Sequence, residues 1–133
     1  MRFIGIFESI THASIRDCVE HGETLIFLVN PGEVGKAIGK KGANIERASK
    51  LFQRKVEVVE WSDNLEEFVK LLFLPARIKS VTLGELKSGG KKATVVPFEQ
   101  DQGLAIGRNG RTIEKARLLL KRYHGIDWVE VKS

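Results

Sequence analysis

Two glycines three residues apart, with a basic pair between them, form the most informative pattern in this chain of 133 residues. The stretch is IGKKGANI, residues 38–45, and it begins and ends on isoleucine. Glycine permits backbone dihedrals that other residues avoid and lets a ligand come close to the main chain. Lys40 and Lys41 place two positive charges at the tip. The pattern therefore predicts a loop that binds an anionic group.

The same pattern recurs as IGRNGRTI, residues 106–113. Aligned without a gap, residues 35–48 and 103–116 are identical at eight of fourteen positions. Two further positions exchange Lys for Arg. An internal duplication explains this agreement better than chance does.

A helix is expected directly after each glycine loop. Its first N–H groups have no intrahelical partner, and its dipole is positive at that end. A glycine loop lets a phosphate approach those N–H groups, which suits a sugar-phosphate backbone. The flanking isoleucines would line a narrow apolar groove for unstacked bases, as recognition of single strands requires.

The candidate RNA-binding residues therefore form two sets, one around each loop. The first set is Ile38, Gly39, Lys40, Lys41, Gly42, Ile45 and Arg47, and the second is Ile106, Gly107, Arg108, Asn109, Gly110, Arg111, Ile113 and Lys115.

The positive charge of the chain gathers around the two loops. The net charge is +5, with a sequence pI of about 9.5. Residues 31–55 carry seven Lys or Arg against two acids, and residues 76–125 carry eleven against four. The remaining three segments each sum to a negative charge. This partition predicts an acidic partner at the loops.

The composition excludes several classes of protein. An apolar share of 42% with 29% charged residues is that of a globular protein, and no apolar run reaches the ~20 residues of a membrane span. The first residues, MRFIGIFESI, lack signal-peptide anatomy, so a cytoplasmic location is expected. Cys18 is the only cysteine, so no internal disulfide or CxxC metal site is predicted.

No catalytic or cofactor constellation is predicted either. The first loop lacks the GxxxxGK[ST] spacing of a nucleotide-hydrolysing P-loop. Cys18 and His21 stand one helical turn apart in the helix predicted below, but no orienting group accompanies them. His12 and His124 have no companions at ligand spacing. We therefore expect a protein that is not an enzyme, with no metal, cofactor or small-molecule substrate.

The periodicity predicts two halves that meet near residues 61–63 without a flexible linker. In the first half we predict a strand over Met1–Phe7, a helix over Ser9–His21, a strand over Leu25–Val29, helices over Glu33–Ile38 and after Gly42, and a strand over Val56–Glu60. In the second half we predict a helix from an N-cap at Asp63 to Pro75, strands over Ile78–Leu86 and Ala93–Phe98, helices over Glu99–Ile106 and Arg111–Tyr123, and a strand over Ile126–Val131. Trp61 and Trp128, at strand ends, are interpreted as packing residues.

The two glycine stretches resemble the I-G-x-x-G-x-x-I core of KH domains, whose GxxG loop clamps a short run of nucleotides. The predicted order of the second half, helix–strand–strand–helix–GxxG–helix–strand, is similar to the prokaryotic (type II) KH arrangement. The first half differs, since it is predicted to run strand–helix–strand before its motif. The stretches VEVVEWSDNLEEFV, LPARIKSV and DQGLAIGRNGRTI further resemble the tandem KH region of NusA-like factors of archaeal type.

That resemblance implies an α+β fold with two tandem KH domains, residues 1–62 and 63–133, each a three-stranded sheet packed against helices. It implies single-stranded RNA as partner and a role in transcription termination, antitermination or elongation, with RNA polymerase or other transcription proteins as further partners. No counterpart of the polymerase-binding N-terminal domain or the OB-type domain of bacterial NusA is expected in these residues. The short join between the halves leads us to expect that both loops hold one strand in fixed register.

Two alternative functions are compatible with the same residues. The first is a KH-type RNA-binding factor in rRNA processing or ribosome assembly. The second is a protein-interaction module of the transcription machinery, in which the GxxG motifs are structural only.

Overall fold

A computed structural model describes residues 2–133, and Met1 lies outside the described residues. The chain divides into two compact units, of which the first ends at Asp63 and the second runs from Asn64 to Ser133. No helix among the described residues is both long and apolar enough to cross a membrane.

Each unit contains three helices and three strands in the same order. The first unit consists of α1 (Phe3–Thr11), β1 (Ile15–His21), β2 (Thr24–Val29), α2 (Val34–Ile38), α3 (Ala43–Phe52) and β3 (Lys55–Glu60). The second consists of α4 (Leu65–Phe73), β4 (Ile78–Glu85), β5 (Lys91–Pro97), α5 (Gln102–Ile106), α6 (Arg111–His124) and β6 (Trp128–Val131). Single 3-10 turns at Lys40–Gly42 and Arg108–Gly110 join the last two helices of each unit, and a third, Glu99–Asp101, precedes α5.

The two sheets have the same mixed topology. In the first, β2 lies in the centre, antiparallel to β1 and parallel to β3. In the second, β5 is central, antiparallel to β4 and parallel to β6. The parallel pair needs a crossover, and the helix–loop–helix that carries the GxxG motif supplies it. The sheet therefore fixes the two ends of the helix–loop–helix segment that carries each loop.

The beginning of the chain differs from the prediction. The predicted strand over Met1–Phe7 is a helix, α1, in all of its described residues from Phe3 onward. Phe3, Phe7 and Ile10 follow each other at helical spacing, and α1 packs its buried Phe7 against the sheet. Thr11 Oγ1 donates to the Phe7 carbonyl at 2.8 Å at the end of this helix.

The predicted helix over Ser9–His21 is also wrong, since Ile15–His21 forms strand β1. Ile15 and Val19, four residues apart, are the buried members of the segment, a spacing that fits a helix as well as a strand. A register shift between Ile15 and Asp17 interrupts the alternation that would have indicated a strand. Consequently both units, not only the second, run helix–strand–strand before the motif.

The core of the first unit joins α1, β2 and α3 through aromatic rings. Phe7 stacks on Phe27 with ring centroids 4.0 Å apart, and Phe52 lies 6.2 Å from Phe27. All six residues of β2 are buried, as its uninterrupted apolar run predicted. Because Phe52 ends α3, this cluster fixes the helix whose first turn follows the glycine loop.

The second unit is built around α4 and α6. Helix α4 buries Phe68, Val69, Leu72 and Phe73, as its predicted apolar stripe requires. Its N-cap is Asn64, whose side chain accepts a hydrogen bond from the Glu67 N–H at 2.8 Å. The predicted N-cap, Asp63, instead accepts a hydrogen bond from Trp61 Nε1 at 2.9 Å.

Arg77 and Asp101 tie the beginning of β4 to the turn that leads into α5. The backbone N–H and Nε of Arg77 both donate to Asp101 Oδ2, at 2.9 and 2.8 Å. The hydrogen bond from the Arg77 side chain, with that from its backbone, holds the pKa of Asp101 below its ordinary value.

This pair predicts a pH-dependent contribution to stability. A carboxylate with a lowered pKa stabilises the folded state above its unfolded pKa of about 3.9, and the contribution is lost as the pH falls through the lowered folded pKa. Asp101→Asn should therefore lower the melting temperature at pH 7. Melting curves followed by circular dichroism should converge for variant and wild type as the pH falls through the lowered folded pKa of Asp101. A difference in melting temperature that stays the same size from pH 7 into that acid range would contradict the pair's role.

Candidate nucleic-acid interface

The two glycine loops adopt the same backbone conformation. The φ and ψ angles are 79° and 169° at Gly39, and 82° and 165° at Gly107. In each loop the N–H of the second glycine donates to the carbonyl of the first at 3.1 Å. The duplication seen in the sequence is thus a duplication of geometry.

The first glycine of each loop is required by close packing inside the protein. A Cβ on Gly39 would lie 2.9 Å from the backbone nitrogen of Asn44 and 2.8 Å from its side chain. A Cβ on Gly107 would lie 2.6 Å from the backbone nitrogen of Thr112. Asn44 Nδ2 in turn donates to the Lys36 carbonyl at 2.8 Å, so the first loop is also tied to α2.

The second glycine faces open space. A Cβ on Gly42 would meet no atom within 4 Å, and one on Gly110 would meet only Ile113 Cγ2 at 3.8 Å. Both have left-handed backbones, with φ of 77° and 74°. They are also the N-caps of α3 and α6, and no side chain caps either helix. The N–H of the first residue of each helix donates to a loop carbonyl, that of Lys40 or Arg108, so a phosphate can approach the N–H groups of the residues that follow.

The third residue of each loop has the same left-handed conformation. Its φ is 55° at Lys41 and 57° at Asn109. Asparagine adopts this region more readily than lysine, because its short polar side chain can hydrogen-bond to the nearby backbone. A strained lysine at a loop tip is a feature that concentrates at ligand-binding sites. Here the strain presents an exposed Lys41 ammonium group at the tip of the first loop.

Four cationic side chains at the loops have no acidic partner among the described residues. Lys40, Lys41, Arg47 and Arg108 are exposed, and none has an ion pair within residues 2–133. By contrast, Lys50 Nζ lies 3.3 Å from Glu46 Oε1. Glu46, on the first turn of α3, is therefore paired with Lys50 and not with a loop lysine. The unpaired charges therefore remain available to an anionic ligand.

The second loop has fewer exposed cations without an acidic partner than the first, among the residues that the structure describes. Arg111 and Lys115 are half-buried and each has a partner within the protein, whereas Asn109 is uncharged. Arg108 is thus the exposed cation of this loop that has no acidic partner in the described chain. The two loops share a backbone but differ in charge.

The flanking isoleucines are only partly used by the core. Ile38, Ile45 and Ile113 are half-buried, and Ile106 is 41% exposed. The repeated alanines of the motif, including Ala37 and Ala105, are fully buried and carry the helix packing. An apolar edge therefore remains beside each loop. Leu104, two residues before Ile106 on α5, is 51% exposed and was not predicted from the sequence, because it lies outside the identical positions.

Cys18 and His21 do not form a nucleophile–base pair in the structure. Both residues lie on β1, where a separation of three places them on opposite faces of the sheet. Burial, with the nearby carboxylates of Asp17 and Glu20, raises the pKa of the Cys18 thiol to about 11. The thiol is protonated at neutral pH and is a poor nucleophile.

The described residues hold no group of three or more His, Cys, Asp or Glu side chains arranged to bind a metal ion. The exposed chemistry of each unit is instead a glycine loop between two helices, an uncapped helix N-terminus, lysine and arginine side chains and an apolar edge. On a three-stranded mixed sheet, this combination defines the KH class of nucleic-acid-binding domains.

Comparison with known proteins specifies the class further. Residues 6–66 match the family model described as the NusA-like second KH domain, although they form the first half of this chain. The chain is 39% identical to the probable transcription termination protein NusA of Halococcus morrhuae, covering 98% of this chain and 93% of that protein. It is 36% identical to the protein of the same name from Methanocaldococcus jannaschii, covering 96% and 69%.

A solved structure agrees with these relatives. The crystal structure of APE1850 superposes with a TM-score of 0.90 at 36% identity, covering 98% of this chain and 96% of that one. The chain belongs to the NusA-like family, in its archaeal form.

Proposed function

We propose that both units are type II KH domains and that the chain binds single-stranded RNA in transcription termination, antitermination or elongation. The observation that carries this proposal is the duplicated loop, which places a second glycine open to solvent before an uncapped helix in both units. The proposed role is binding rather than catalysis, and the proposed setting is the cytoplasm. RNA polymerase or other transcription proteins are the further partners that this role requires.

The RNA backbone is held at the loops. One phosphate approaches the N–H groups at the start of α3, and another those at the start of α6, where Gly42 and Gly110 leave room. Lys40, Lys41 and Arg47 supply charge at the first loop. Arg108 supplies it at the second loop, with Arg111 and Lys115 at the beginning of α6. Charge-assisted hydrogen bonds of this kind are about twice as strong as neutral ones.

The bases lie over the apolar edges. Ile38 and Ile45 form the edge of the first loop, and Ile106 and Ile113 that of the second. Such contacts need bases that have left a duplex stack, because A-form helices hide their base faces. The site therefore favours single strands over duplexes.

Fluorescence anisotropy with labelled single-stranded RNAs about ten nucleotides long tests this proposal, with the corresponding duplexes as controls. We expect single strands to bind at least about tenfold more tightly than duplexes, because only they present unstacked bases to the groove. Equal affinity for single strands and duplexes would contradict the proposed contact between unstacked bases and the apolar edges. No affinity for either at low salt, together with recovery of RNA polymerase from cell extract, would favour a protein-interaction module.

A further inference from the structure

Trp128 is an exposed aromatic residue that the glycine motifs do not include. It lies at the start of β6 with 43% of its surface exposed. The guanidinium carbon of Arg117 lies 3.8 Å from the centroid of its ring. The chain has one other tryptophan, Trp61, which also has an arginine over its ring, Arg16 at 4.1 Å, but is only 7% exposed. The sequence-based interpretation as a packing residue fits the burial of Trp61 but not the exposure of Trp128.

Arg117 is held in place by the edge of the sheet. Its Nε donates to the Val129 carbonyl at 3.0 Å, on the edge strand β6. Within residues 2–133 this is its one hydrogen bond, so both Nη groups remain as donors. The arginine is therefore fixed against one part of the indole while its outer nitrogens can still contact a ligand.

The backbone next to Trp128 is also held in place. The preceding residue, Asp127, accepts a hydrogen bond from the Lys91 N–H through Oδ2 and donates its own N–H to the Lys91 carbonyl, both at 2.9 Å. Lys92 is the register partner of Trp128 on β5. Lys92 Nζ lies 3.4 Å from Glu130 Oε1, so Arg117 is the cation that lies against the ring. An aromatic ring with an arginine against it is a combination found where bases of single strands stack.

The position of this pair suits an RNA strand held at the second loop. Arg117 comes seven residues after Gly110 on α6, which is about 10 Å along the helix axis. Three stacked nucleotides span about the same distance at ~3.4 Å each. A KH loop clamps about four nucleotides, so a strand that runs from the loop along α6 is long enough to bring one base to this pair.

We propose that Trp128, with Arg117, forms a stacking platform for one nucleobase of the RNA strand held at the second GxxG loop. The ring stacks on the base, and the Arg117 Nη groups donate to the base edge or to the adjoining phosphate. The platform rests on the proposed function, because it acts on the same strand. It adds to the more weakly charged of the two loops an affinity that does not depend on salt.

Tryptophan emission tests the platform directly. In the Trp61→Phe variant, Trp128 is the only tryptophan. We expect single-stranded RNA to quench its emission, because a stacked base lies against the ring. An abasic oligonucleotide of equal length, added to saturation, should quench it little. The Trp128→Phe variant, which retains only the buried Trp61, should show little quenching with either ligand and serves as the control.

Affinity provides an independent measurement. We expect Trp128→Ala to weaken RNA binding about tenfold, Trp128→Phe to restore most of the loss, and the salt dependence to stay unchanged, since stacking releases no counterions. Leu83→Ala is the control, since Leu83 is a 55% exposed apolar residue in the same unit. RNA binding by the wild type with no quenching of Trp128, or with full affinity in Trp128→Ala, would overturn the platform alone. Absence of RNA binding by the wild type would instead overturn the proposed function.

Discussion

RNA affinity is expected to fall by at least about 100-fold when Lys40, Lys41, Arg108 and Asn109 are all replaced by Asp. The change converts three positive charges at the loop tips into four negative ones. Each phosphate that was attracted to an N–H group and a cation would then face a carboxylate. Variants altered in one loop only should show intermediate losses, with the larger loss from Lys40 and Lys41, because the first loop has more cations without acidic partners. Fluorescence anisotropy with one RNA at a single salt concentration measures the series.

The control matched to the Lys40 and Lys41 variant of this series is replacement of Lys50 and Lys70 by Asp. Both lysines are exposed on helices and paired with an acid, at 3.3 Å to Glu46 and 3.4 Å to Glu66. The control removes charge away from the loop tips, so we expect it to weaken binding less than about fivefold. Circular dichroism should remain native in both series. Undiminished affinity in the loop variant would mean that the GxxG motifs are structural only.

Replacement of Phe27 by Ala is expected to destabilise the first unit by about 3–5 kcal/mol. Phe27 is fully buried in the central strand, stacked on Phe7 and adjacent to Phe52. A unit of this size has little stability to lose, so the variant should be largely unfolded there at 37 °C. Urea denaturation followed by circular dichroism measures the loss.

Leu51→Ala on α3 is the control for this loss. Leu51 neighbours Phe52 in sequence but is 58% exposed, so its truncation leaves no core cavity, and a cost below about 1 kcal/mol is expected. Equal losses from Phe27→Ala and Leu51→Ala would contradict the core described for the first unit.

Much of the fold was predictable because the decisive patterns are local. The five-residue apolar run Leu25–Val29 indicated a buried strand, and β2 is buried at every position. The apolar stripe from Leu65 to Leu72 indicated α4. The identity between the two copies of the motif indicated equal loops, and their backbone dihedrals agree within a few degrees.

The first 21 residues were not predictable in the same way. Ile15 and Val19 have a spacing that a helix and an irregular strand both satisfy, and the pairing of β1 with β2 decides between them. The apolar residues of α1 lie so close together in sequence that their helical period is hard to recognise. Both errors concern segments whose structure depends on the sheet rather than on local preference.

The candidate site, too, was predictable only in part. The sequence identified both loops, but it did not distinguish the roles of the two glycines within each loop. The clash of a Cβ at Gly39 with Asn44, and the open space at Gly42, depend on packing between residues five apart and on the start of the next helix. The pairing of Arg117 with Trp128 joins a helix to an edge strand and leaves no local pattern.

The central claim is that two loops each hold RNA phosphates, and the salt dependence of binding tests it most directly. Each phosphate neutralised on a single strand adds roughly −0.7 to the slope of log affinity against log salt. We predict a slope of about −1.4 or steeper for the wild type, and a shallower slope for each single-loop Asp variant. A wild-type slope near zero, or one that the loop substitutions leave unchanged, would contradict the claim.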